Sequence, residues 1–140
     1  MPTLPWVTPN PAPPYGQVVV MASRFEVRSL TDVPRFFLKS LAAWRQVRSA
    51  PGAFGASLIA LPTQRTFFTL SAWESRDALY AYARAEPHRS IMTELRTTMR
   101  TSTFTFWDAS VEQLPLTWDE AKRRLAEQKQ ADAIEGDTLA

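Results

Sequence analysis

The stretch FFTLSAWESRDALYAYARAEPHRSIM, residues 67–92, changes its period in the middle. From Phe67 to Trp73 it is apolar, aromatic and β-branched, which reads as a strand. Ser75 then stands where a helix cap belongs, with Asp77 in the first turn. Pro87 closes that helix and is an acceptable first residue for another. In the second helix His88, Ile91, Met92, Leu95 and Met99 recur at helical spacing and form one stripe. The stripe holds the only histidine of the chain, facing inward among soft apolar side chains.

Working outward gives the rest of the fold. QVVVMASRFEVR (17–28) is a strand. TDVPRFFLKSLAAWRQVRSA (31–50) is a helix, opened by Thr31 or Asp32 with Pro34 in the first turn, with Val33, Phe37, Leu41 and Trp44 at helical spacing. After Pro51 and Gly52, residues 53–61 and 66–74 form a hairpin around PTQR, and 101–109 is a fourth strand. The order is β-α-β-β-α-β, the ferredoxin-like plan: an α+β antiparallel sheet with its helices on one face.

Two segments flank this unit of residues 17–109. Residues 1–16 carry prolines at 2, 5, 9, 11, 13 and 14, which permit only an extended arm, with Trp6 as its one anchor. Residues 110–140 are a tail with a helix at 117–128, opened by a Thr117–Glu120 capping box and striped by Trp118, Ala121 and Leu125.

The strands are apolar on both faces. Val19, Met21, Phe25 and Val27 alternate with Val18, Val20 and Ala22, and Phe67 and Trp73 alternate with Phe68, Leu70 and Ala72. A sheet covered on one side should alternate apolar with polar. A second covering layer is therefore expected, most simply a second copy in a homodimer, the alternative being a monomer whose own arm and tail helix cover the second face.

Composition narrows the chemistry. The chain has 140 residues, 45% of them hydrophobic, and a net charge of +2. That suits one domain with one core. There is no cysteine, which excludes disulfides and thiolate chemistry. One histidine excludes a multi-histidine metal site within one subunit. Basic residues are scattered, and Lys122, Arg123 and Arg124 read as a solvated helix face, so no nucleic-acid partner is expected. No segment approaches the roughly 18 apolar residues of a membrane span, and no leader is legible; a cytoplasmic location without membrane contact is the expectation.

The order of elements, the two-sided sheet, the Trp73-Glu74-Ser75 junction, the following His88 and the SAPGAFGASLIA stretch resemble the dimeric α+β barrel superfamily. Its members include the antibiotic-biosynthesis monooxygenase-like proteins, the haem-degrading monooxygenases and relatives of the spheroidene monooxygenase. The resemblance covers residues 17–109. It implies a homodimeric barrel and a small-molecule site between sheet and helices. It further implies either a monooxygenase without cofactor, acting on an aromatic or polyketide-like compound, or a haem-binding or haem-degrading protein with His88 as axial ligand. A third alternative is a non-catalytic dimeric ligand-binding module.

Each candidate residue has a physical reason. His88 can carry a proton, ligate haem iron, or be satisfied by one backbone carbonyl; its place at a helix start disfavours the protonated form. Arg24 shares a strand face with Val18, Val20 and Ala22. A buried arginine needs a partner, either Glu26 or a substrate anion. His88 and Arg24 are the expected catalytic pair. Trp44, Trp73, Phe67, Tyr80, Met92 and Trp107 are the expected lining of an aromatic pocket, suited to a flat or quinone-like ligand.

Overall fold

The structure, a computed structural model, describes residues 3–139. Five strands form one antiparallel sheet: β1 (Thr3–Val7), β2 (Gln17–Val27), β3 (Ala53–Leu61), β4 (Thr66–Trp73) and β5 (Met99–Ser110), in the order β1-β3-β4-β2-β5. Helices α1 (Val33–Val47), α2 (Arg76–Arg84) and α3 (His88–Leu95) follow β2 and β4, and α4 (Trp118–Leu139) ends the chain. This is the ferredoxin-like α+β plan with one added edge strand and a C-terminal helix. No described helix is long and apolar enough to cross a membrane.

The strand pairing follows from the alternation in the sequence. Register Val19↔Trp73 and Phe25↔Phe67 puts Met21, Phe25, Phe67 and Trp73 on one face, where α1, α2 and α3 pack. Val18, Val20, Ala22, Leu70 and Ala72 lie on the other, each at most 1% exposed.

That second face is covered by the chain itself. Ala121 and Leu125 of α4 bury against Val18, Val20, Leu70 and Trp107, and Leu114, Leu116 and Trp118 extend the cover. No large hydrophobic side chain of that face is exposed among the described residues. The two-sided strands are thus satisfied within one chain, and a homodimer rests on the resemblance rather than on an open sheet face. The helix also runs well past residue 128.

The proline-rich arm contributes β1, which pairs with β3 on the sheet edge. Pro5 falls where the register shifts, at a place where the missing donor does no harm. Asn10, the sole asparagine, donates through Nδ2 to the carbonyls of Ala50 (2.8 Å) and Ala53 (3.0 Å) and ties down the end of the arm. The Trp6 ring lies directly against Gly55. A Cβ there would fall 1.8 Å from the Trp6 ring. Gly55→Val is therefore expected to displace Trp6 and loosen β1 at a cost of about 1–3 kcal/mol, read by urea unfolding. Unchanged stability would show that Trp6 is not held there.

Three details differ from the sequence reading. Asp32 makes no side-chain cap, and Ser29 instead accepts the Thr31 N–H, capping a short 3-10 turn ahead of α1. The buried stripe of α1 is Val33, Phe36 and Val47, with Phe37, Leu41 and Trp44 half-buried. The helix is rotated so that Phe36 meets Phe67, with ring centroids 4.6 Å apart. Met99, the last member of the His88 stripe, opens β5 instead of extending α3.

Candidate active site

Between the sheet and α1–α3 lies a cavity of about 210 Å³. Trp44 and Ser40 from α1, Leu79, Tyr80 and Tyr82 from α2, and His88, Ile91 and Met92 from α3 form its helix side. Met21, Ser23, Thr69, Ser71 and Trp73 form its floor on the sheet, and Phe104 and Phe106 of β5 stand at its rim. Tyr80, Phe104 and Phe106 are exposed, so the cavity opens between α2 and β5. Arg76 stacks over the Phe106 ring at that rim, 5.2 Å from its centroid.

The break between α2 and α3 places the histidine. Ser75 caps α2 by accepting the Ala78 N–H at 3.1 Å. The chain leaves α2 after Arg84, passes a cis Glu86–Pro87 peptide and starts α3 at His88. Gln46, near the end of α1, holds the two helix ends together. Its Oε1 accepts the His88 backbone N–H at 2.7 Å, and its Nε2 donates to the Tyr82 carbonyl at 3.0 Å. One amide thereby satisfies a free donor at the start of α3 and adds a second hydrogen bond to a carbonyl in the last turn of α2.

The imidazole is fixed in turn. Nδ1 lies 3.1 Å from the Ala83 carbonyl, and the ring packs on Tyr82 with centroids 4.8 Å apart. A carbonyl can only accept, so Nδ1 carries the proton and Nε2 presents its lone pair. Nε2 has no hydrogen-bond partner among the described residues. Burial holds the pKa of His88 below its ordinary 6.5, against a smaller opposing effect of the Ala83 carbonyl. The ring is therefore neutral at pH 7. Burial also pushes the Tyr82 hydroxyl up, and it stays a donor to the Ala43 carbonyl at 3.0 Å.

The depressed value has a consequence for stability. Between pH 6.5 and the lower folded value the unfolded chain binds a proton that the folded chain does not. This contribution is fully present above pH 6.5 and is lost as pH falls to the folded value. Because His88 is the only histidine, its ring resonances are unambiguous in a nitrogen–proton NMR spectrum. They are expected to show the Nδ1–H tautomer and a midpoint below 6.5. A midpoint at or above 6.5 would contradict the buried, neutral ring.

The structure brings together most of the residues expected from sequence and separates three. His88, Trp44, Trp73, Tyr80 and Met92 all line the cavity. Phe67 lies on the same sheet face but outside the cavity, covered by Phe36 and fully buried. Arg24 and Trp107 are on the opposite face. Arg24 pairs with Glu26 at 3.6 Å, and Trp107 lies under the Arg124 guanidinium at 4.5 Å. Neither can reach a ligand held beside His88 without crossing the sheet. Gln46, Tyr82 and the hydroxyls of Ser23, Thr69 and Ser71 were not singled out from sequence as part of the site. The hydroxyls did leave a signal, since they share strand parity with Met21 and Trp73. Gln46 left none.

Haem fits the site poorly. The cavity is below the roughly 300 Å³ at which ordinary ligand pockets begin. Among the described residues no lysine or arginine lines the cavity itself, and Arg76 at the rim, stacked on Phe106, is a single cation against two propionates. His88 Nε2 alone is suited to the iron.

The cavity is uncharged and aromatic-lined, holds one neutral imidazole, and lies between a ferredoxin-like sheet and its helices. Among solved structures the order of strands and helices is that of the antibiotic biosynthesis monooxygenase fold. One structure of an antibiotic biosynthesis monooxygenase matches with a TM-score of 0.60 at 14% identity, covering 65% of this chain and 97% of its own. A mutant of SnoaB, a cofactor-independent oxygenase from Streptomyces nogalater, matches with a TM-score of 0.57 at 19% identity, covering 70% and 97%. Protein SO0527 from Shewanella oneidensis matches with a TM-score of 0.60 at 9% identity, covering 69% and 97%. At these identities the likeness is one of fold. No protein-family profile matches the sequence, and neither does any curated protein.

Proposed function

We propose that this chain is a monooxygenase-like enzyme that works without a cofactor on a compact aromatic or polyketide-like compound. The observation that carries this reading is the free Nε2 of a neutral His88, set in a cavity otherwise lined by aromatic, aliphatic and hydroxyl groups. Such an imidazole is poised as a general base near neutral pH. Its fixed tautomer points the basic nitrogen away from Ala83. The cofactor-independent oxygenase SnoaB, with the same fold, lends support by analogy.

For an anthrone-like substrate the steps balance. Nε2 removes one proton from the ring methylene, and the carbanion takes up dioxygen to give a peroxide. The imidazolium returns its proton to the peroxide. Loss of water then leaves the ketone, so one dioxygen yields one carbonyl oxygen and one water. The protein holds the substrate flat against Trp73, takes and returns the proton, and keeps bulk water from the carbanion.

Oxygen uptake with a panel of anthrones and hydroquinones tests this. One dioxygen consumed per substrate molecule is the expected result, and failure to turn over any of them would sink the reading. Titration with haemin is expected to give no Soret shift that depends on His88. A shift abolished in His88→Ala would instead establish axial ligation.

A further inference from the structure

Arg24 has a place in the fold but no sufficient partner there. It stands in β2, an interior strand, opposite Phe68 of β4 and Thr103 of β5, on the face that carries α4. Its side chain is only 24% exposed. A guanidinium has five N–H donors. That of Arg24 makes no hydrogen bond among the described residues. Nη1 is out of reach of solvent and turned to Glu26 Oε2, which at 3.6 Å is an ion pair without a hydrogen bond. Nε and Nη2 are left with no acceptor at all. Buried donors so placed are costly unless something meets them.

Glu26 is also shared. Arg100 Nη1 approaches its other oxygen at 3.5 Å, and the Thr101 hydroxyl lies 3.5 Å from Oε2. Lys122 of α4 brings a third cation. Its Nζ is 5.6 Å from the Phe68 ring centroid, and Arg24 Cζ is 6.0 Å from the same centroid. Lys122 makes no ion pair among the described residues, since Glu120 of its own helix is taken by Arg123 and Arg124. One aromatic ring draws two cations together but does not neutralise them. Three cations thus share one carboxylate, and two positive charges are left over on a part-buried patch. Like charges repel more strongly there than in water, so the patch calls for an anion from outside.

We propose that Arg24, Arg100 and Lys122 form a second ligand site, behind the sheet, for a phosphate group, either free or as a monoester. Such a group carries close to two negative charges at neutral pH, which matches the excess. The planar arginine forks suit its paired oxygens, and the lysine adds a point charge. The cavity on the other face is uncharged, so the two sites take different chemistry, and this one does not depend on the cavity being catalytic.

Backbone nitrogen–proton NMR of the full chain at constant pH tests it, with titrations of sodium phosphate, phenyl phosphate and, at matched ionic strength, sodium chloride. Both phosphates are expected to move the resonances of Arg24, Phe68, Thr103 and Lys122 together, saturating around 1 mM, as about two charge-assisted hydrogen bonds would give. Chloride should not. Tighter binding of phenyl phosphate would mark the ligand as an ester, and equal binding would mark it as the phosphate group alone. Arg24→Gln is expected to weaken binding about tenfold or more. Lys122→Gln, at an exposed position, should weaken it about two- to fivefold and stands in if Arg24→Gln does not fold. Shifts that chloride reproduces, that never saturate, or that both variants retain unchanged would overturn the site. So would saturable shifts confined to His88 and its neighbours.

Discussion

Replacing His88 by alanine is expected to lower the turnover of an oxidisable aromatic substrate by about 10²- to 10⁴-fold, the range supplied by one positioned base. The loss should fall on kcat more than on KM, because the imidazole contributes little of the aromatic contact area and acts in the step that moves the proton. His88→Asn refines the result. Its side-chain amide can still donate to the Ala83 carbonyl in place of Nδ1 but offers no basic nitrogen. It should therefore keep the α2–α3 junction in order and be as inactive as alanine. Wild-type activity is expected to be flat above pH 6.5 and to fall below the folded value as Nε2 is protonated. That acid limb should vanish from the residual activity of both variants. A variant retaining full kcat would remove His88 from the chemistry and leave a binding cavity.

Trp73→Ala is expected to be the most destabilising single change of the lining, at about 3–5 kcal/mol. Trp73 is fully buried and is the largest such side chain of the chain. Its ring packs on Tyr82 with centroids 5.1 Å apart, and its Nε1 donates to Ser71. Removing it opens the floor into the space already present beneath α2 and leaves Ser71 without its donor. Against a typical total of about 5–15 kcal/mol, this takes a large part of the stability. Urea unfolding followed by circular dichroism is the suitable measurement. Trp44→Ala, at a half-buried place on the cavity wall, should cost clearly less. Equal costs for the two would mean that the floor is not packed as described.

Much of this architecture is written in local patterns. The period change at Trp73-Glu74-Ser75 marks a strand running into a capped helix, and the Ser75 cap bond is present. The alternation in 17–28 and 66–74 sorts residues into the two sheet faces that the structure shows, because side-chain period along a strand is fixed at two. The same rule already set Arg24 with Val18 and Val20. Parity, however, does not say which face carries α1–α3 and which carries α4. Arg24 and Trp107 read as site residues from sequence for that reason, and they lie behind the sheet.

The cover of the second face was legible only as two alternatives, a second copy or the chain's own arm and tail helix. The stripe of Trp118, Ala121 and Leu125 is visible in the sequence, but a narrow apolar stripe fits any apolar surface, including that of another copy. Only the packing of Ala121 and Leu125 on Val18, Val20 and Leu70 assigns it to its own sheet.

The sequence by itself determined strands β2 to β5, the helix junction and the inward stripe that contains His88, since these depend on neighbours within a few residues, whereas β1 was legible only as an extended arm. The tertiary structure decided what that histidine can do. Gln46 meets His88 from 42 residues away, and the Ala83 carbonyl selects the tautomer. Ser23 meets Thr69 across two strands. Hydrogen bonds between distant segments leave no periodic trace in a sequence, and here they set the protonation state and polarity of the cavity.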